Sequence, residues 1–183
     1  MLSMLSLSAD IGFAASLIML ALVMLAARGH LRIALCWGSG MLLGLGTVLI
    51  IKRSMPYEPD WSQFPSGHVA LAVTFHGGLA LVLLRQELPP TPWRPLFFLA
   101  ILGAIALAQG ISRVVLTEHD WIDVAGGFLV GVGGLTVAGN PWAWEPIGRE
   151  DRLWVGGALL VALPFSWLLY PHLNPWIRHI VGV

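Results

Sequence analysis

Six long apolar runs, separated by short polar segments, set the outer limit on what this 183-residue chain can become. With 57% hydrophobic residues, only 11% charged residues and a mean hydropathy of +0.79, it is too apolar for a soluble domain and reads as a multispan membrane protein. Backbone groups left unpaired in hydrocarbon are costly, so each run of ~17 to 25 apolar residues is expected to be one helix. The runs fall near residues 9–27, 31–51, 67–85, 95–113, 121–139 and 153–170. The expected fold is therefore all-α, a single membrane-embedded domain over residues 1–183 built as a bundle of six transmembrane helices.

The formal net charge of +0 offers no basic surface for nucleic acid. A lone cysteine, Cys36, excludes an intramolecular disulfide and a four-cysteine metal site. No positive residue precedes the first apolar run, so a cleaved signal peptide is not expected and the first helix is read as retained. Orientation follows from the basic residues. Arg28, Arg32, Arg85, Arg94, Arg149 and Arg152 fall in one set of connections, and Lys52, Arg53, Arg113 and Arg178 in the other. The richer set is read as cytoplasmic. Tryptophans prefer the head-group level and sort the same way, with Trp61, Trp121 and Trp176 outside and Trp93, Trp142, Trp144 and Trp154 inside. Gly40-x-x-x-Gly44 and Gly127-x-x-x-Gly131 have the spacing that lets two helices approach closely.

Ionisable groups are expensive at a membrane, so where they cluster is informative. They gather in two stretches, Lys52 to His68 and Ser112 to Asp123, both at the outer ends of their helices and so able to face one cavity. The first stretch ends in Phe64-Pro65-Ser66-Gly67-His68 and runs into the third span. It offers the free N–H groups of a helix start, which suit an anion. Gly67 lets the backbone approach a phosphate oxygen, Ser66 either caps the helix or donates to that oxygen, and His68 supplies a proton near neutral pH. In the second stretch Arg113 has the fork geometry for two phosphate oxygens. If the fifth span starts near His119, Asp123 lies one turn further on the same face, where its carboxylate accepts from one imidazole nitrogen and leaves the other as a nucleophile.

Pro65-Ser66-Gly67-His68 and Ser112-Arg113-x5-His119-x3-Asp123, in that order, closely resemble the second and third motifs of the type 2 phosphatidic acid phosphatase superfamily. The resemblance implies that His119 is the nucleophile, Asp123 orients it, His68 protonates the leaving group, and Ser66, Gly67 and Arg113 hold phosphate oxygens. The family's first motif is a lysine, six residues, then Arg-Pro, whereas Lys52 is followed at that distance by Pro59-Asp60. Lys52 is the favoured phosphate ligand there, with Arg53 an alternative source of the absent guanidinium. Asp60, Glu118 and Asp120 add negative charge that either lowers affinity for a highly charged head group or binds a basic neighbour.

The expected activity is metal-independent hydrolysis of a membrane lipid phosphate through a phosphohistidine, with no cofactor and no metal. The substrate enters from the bilayer, with polyprenyl diphosphate the first choice, ahead of phosphatidic acid and phosphatidylglycerol phosphate. The expected setting is a bacterial inner membrane, with the site on the extracytoplasmic face. Three rivals stay open: a phosphotransferase using the same histidine, a metal site built from His68, His119, Glu118, Asp120 and Asp123, and a non-catalytic lipid binder. His76 is read as hydrogen-bonding from helix to helix or as a proton relay, Gln109 as a brace for Arg113 or a packing residue, and His172 and His179 as an interfacial tail.

Overall fold

A computed structural model of the chain describes residues 11–55, 64–84, 92–140 and 145–164. Among the described residues there are six helices and no strand: α1 (Ile11–Ala27), α2 (Leu31–Ser54), α3 (Gly67–Leu84), α4 (Arg94–Val115), α5 (Trp121–Ala138) and α6 (149–164). Four of them, α2 to α5, are long and apolar enough to cross a membrane. The 17 residues of α1 extend about 25 Å at ~1.5 Å per residue, somewhat less than the ~30 Å of a hydrocarbon core. The charged run Arg149-Glu150-Asp151-Arg152, expected ahead of the last helix, is already helical.

The α1–α2 connection shows how the sequence turns the chain. Gly29 adopts φ 88°, the left-handed conformation that glycine takes without a Cβ penalty. The His30 N–H donates to Leu25 O (2.8 Å) and the Gly29 N–H to Ala26 O (3.1 Å), the paired bonds of a Schellman ending. Successive helices alternate in direction, so residues 27–31, 92–94, 138–140 and 145–149 gather at one end, and residues 52–55, 64–68 and 112–121 at the other.

Helix α5 is central, packed chiefly against α2 and α3. A Cβ at Gly127 would collide with the carbonyl oxygen of Ser66, so glycine there lets the start of α3 lie directly on α5. Gly40 of α2 lies equally close to the backbone of Gly134 and Ala138, so the small-residue spacings of the sequence do mark helix contacts. Thr74 Oγ1 donates to Ala70 O (2.8 Å) and to Gly131 O (3.2 Å), linking α3 to α5. Trp37 of α2 is buried, stacks on Phe75 and donates its Nε1–H to Thr74 O (3.3 Å). The His76 Nδ1–H donates to Ala72 O within its own helix (3.0 Å), not across to another helix as the sequence suggested.

The two ends carry different polar groups. At the α1–α2 end Arg28 and His30 both reach Asp151, at 2.6 and 3.0 Å, and Arg32 reaches Glu145 at 3.0 Å. Trp93 and Trp154, at that end, and Trp121, at the other, are exposed, as head-group aromatics should be. Trp61, Trp142, Trp144, Trp176, Arg85, Arg178, His172 and His179 lie outside the described residues.

Candidate active site

Helix α5 begins at Trp121 because Asp120 caps it. Asp120 Oδ1 accepts from the N–H groups of Ile122 (2.8 Å) and Asp123 (2.9 Å), and Asp123 Oδ2 accepts in return from the Asp120 N–H (3.2 Å). This reciprocal capping box satisfies N–H groups that a helix start leaves open. It also fixes the Asp123 carboxylate before any histidine is considered. In the sequence Asp120 stood as added negative charge or a metal ligand, not as a cap, although an Asp ahead of an apolar run with an acid three residues later signals one.

The same Asp123 Oδ2 accepts from the His119 Nδ1–H at 3.1 Å. Both side chains are only 7% exposed. The nitrogen facing the carboxylate carries the proton, so Nε2 holds the free lone pair. His119 thus sits two residues before the helix yet makes the bond expected of a helical i,i+4 pair. Burial pushes the His119 imidazole below the ordinary histidine pKa; the bond and charge of Asp123 oppose this, while the charges of Arg113 and Lys52 add to it. The ring is therefore neutral near neutral pH.

That electrostatic coupling also places the cations. Lys52, half-buried in the last turn of α2, acts on His119 and interacts with both Asp123 and Arg113. Arg113, 11% exposed in the last turn of α4, is ion-paired with Glu118. So Glu118 binds a basic neighbour and Asp120 caps a helix, which separates the roles of two acids that the sequence left together. Arg53 is exposed on the adjoining face of α2, and Pro59 and Asp60 lie outside the described residues.

The second motif joins the third through the main chain. The Ser66 N–H donates to Asp123 O at 2.9 Å, a contact that depends on the missing side chain of Gly127. Ser66 is fully buried and its Oγ lies 3.5 Å from the Val69 N–H, the position of a helix cap. Gly67 opens α3 and His68 follows it, half-buried. Ser112 Oγ donates to Gln109 O at 2.7 Å and both residues are buried, so they belong to the wall beneath Arg113. Among the described residues no three His, Cys, Asp or Glu side chains converge as a metal site.

An imidazole braced by a buried carboxylate, two cations within electrostatic reach and a helix start tied to the same carboxylate residue thus meet at one end of the bundle. The chain belongs to the PAP2 superfamily, whose family model matches residues 47–143, from the last two turns of α2 to just beyond α5. It is similar to phosphatidylglycerophosphatase B of Bacillus subtilis (strain 168), at 31% identity over 132 residues, with 64% of this chain and 64% of the relative covered. The chain thus spans a little under two thirds of that relative's length. No solved structure matches it.

Proposed function

We propose that this protein removes phosphate from a membrane lipid by covalent catalysis on His119. The observation that carries the reading is the Asp123–His119 bond, which leaves Nε2 neutral and unprotonated beside the Lys52 and Arg113 cations. In the first step Nε2 attacks phosphorus, the P–O bond to the lipid breaks, and His68 gives its proton to the departing oxygen. In the second, water loses a proton to His68 and attacks the phosphohistidine, releasing inorganic phosphate and restoring both rings. Phosphoryl transfer asks mainly for positioning and charge stabilisation. Lys52, Arg113 and the amide of Gly67 supply these to the non-bridging oxygens, with Ser66 shaping the helix start; Arg53 stands outside this set.

A lipid substrate is supported by the apolar character of the bundle and by a cavity of about 220 Å³ between α1, α2 and α3, lined by residues including Leu22, Met41, Leu45 and Leu71. Leu45 lies two turns of α2 below Lys52. Sequence alone ranked polyprenyl diphosphate first; the name of the Bacillus relative moves phosphatidylglycerol phosphate ahead of it. We place six spans across the bilayer, α1 and α6 included, in a bacterial inner membrane with the site on the extracytoplasmic face, as the distribution of arginines favours.

The test is phosphate release by the purified chain in detergent micelles from phosphatidylglycerol phosphate, phosphatidic acid and a polyprenyl diphosphate. A parallel run uses His119→Ala. Labelled phosphate should stay on the parent protein through alkaline denaturation and leave in acid, as a phosphoramidate does. Equal turnover by parent and His119→Ala would overturn the reading.

A further inference from the structure

One nitrogen of the Arg113 guanidinium, Nη2, is already engaged by Glu118. The ion pair between them is built by the loop rather than by a chance meeting of two long side chains. Past the end of α4 the chain folds back, with Leu116 N–H donating to Ser112 O (3.1 Å), Thr117 N–H to Val114 O (3.0 Å) and Glu118 N–H to Arg113 O (3.0 Å). Thr117 is held at φ 57°, a left-handed conformation that is uncommon for a β-branched residue. The main chain of Glu118 is thereby anchored to the residue whose side chain it pairs with. Its carboxylate is 45% exposed, against 11% for the guanidinium, so it can swing into water at little cost.

Carboxylate and phosphate oxygens occupy a guanidinium fork in the same way. We propose that Glu118 is a resident, displaceable anion in the phosphate subsite. It holds the Arg113 fork in its binding orientation when the site is empty, yields to the substrate phosphate, and returns to the fork to help expel inorganic phosphate after hydrolysis. Glu118 is on this view a positioning residue acting through Arg113. The inference rests on the proposed role of Arg113 in phosphate binding.

Displacement has a distinctive signature. An internal competitor weakens every ligand that needs the fork by one common factor, whatever tail the ligand carries. A carboxylate acting only through its field would instead weaken a ligand in proportion to its charge, and would do so with or without Arg113. Removing a merely structural residue would loosen binding.

The experiment measures binding by calorimetry in the full chain carrying His119→Ala, so that turnover plays no part, with inorganic phosphate and dioctanoyl phosphatidic acid as probes. Glu118→Gln is expected to tighten both by the same factor, about three- to fivefold for a partly exposed ion pair. Glu118→Ala should reproduce that factor and Glu118→Asp should restore the weaker parental binding. In an Arg113→Ala background the effect of Glu118→Gln should vanish. Unchanged or weaker binding in both the Gln and Ala variants, unequal factors for the two probes, an effect that survives Arg113→Ala, or no phosphate binding by any variant overturns the inference. The hydrolytic reading is judged separately, by turnover in the chain that retains His119.

Discussion

At the end of the bundle where α1 meets α2, Arg28 and His30 share Asp151 and Arg32 reaches Glu145; at the opposite end Lys52 and Arg113 lie around an imidazole whose carboxylate partner is itself buried. The residue types are nearly the same. Their setting differs: Arg32 and Glu145 are 58% and 55% exposed, His119 and Asp123 7% each. Water screens the first kind of pair to a contribution of ~0 to 1 kcal/mol, whereas the second lies where dielectric screening is weak and charges shift one another's protonation. One end uses ion pairs to hold its connections together, and the other uses charges to set the protonation of a buried imidazole.

The strongest way to break this contrast is His119→Ala, which should cut kcat for lipid phosphate release by about ten-thousandfold or more, the scale seen when a covalent nucleophile is removed. A smaller, informative loss is expected for Asp123→Asn, about a hundredfold to a thousandfold in kcat, because the amide cannot hold the imidazole in the Nδ1–H form. Comparison of the two by phosphate release and phosphoenzyme yield checks both; an Asn variant as active as the parent would show that the bond orients nothing.

The pH dependence sharpens the same point. Burial first, then the Arg113 and Lys52 charges, hold the His119 imidazole below its ordinary value, which is about 6.5. The nucleophile therefore stays neutral as pH falls through 6.5 and is lost only further down. The acid limb of kcat/KM that reports this ring should lie below about 6.5. Lys52→Met should move that limb upward, since one charge opposing protonation is gone. A downward move would contradict the assigned electrostatics.

The smallest effect belongs to the far end. Arg32→Gln should leave phosphate release unchanged and alter stability by no more than about 1 kcal/mol, as thermal unfolding in detergent would show. A large loss of turnover would mean that the two ends are coupled in a way the packing does not suggest.

Much of this was legible in the residues, and the reasons vary by element. The helices appear where apolar runs predict them because hydrocarbon allows the backbone few other solutions; α3 begins at Gly67 and α5 at Trp121, as expected. The start of α6 was misplaced because charge was read as loop, although acids such as Glu150 and Asp151 in a first turn suit a helix start. His119 and Asp123 declared themselves by chemistry and spacing. Their bond did not need the helix to begin at His119, since the Asp120 cap brings the carboxylate back to the ring. That Glu118 binds a basic neighbour was one of two readings open, but its choice of Arg113 was not readable, because it depends on a left-handed Thr117 that no residue type announces.

The bond from the Ser66 amide to the Asp123 carbonyl joins two stretches of chain that are distant in sequence, using backbone atoms that every residue but proline supplies. Registry between the two histidine-bearing segments is thus indifferent to most changes in the side chains that line the site. Those side chains can be exchanged while the alignment of the two segments is kept. The tolerance ends at position 127, where a single added methyl group would force the two segments apart.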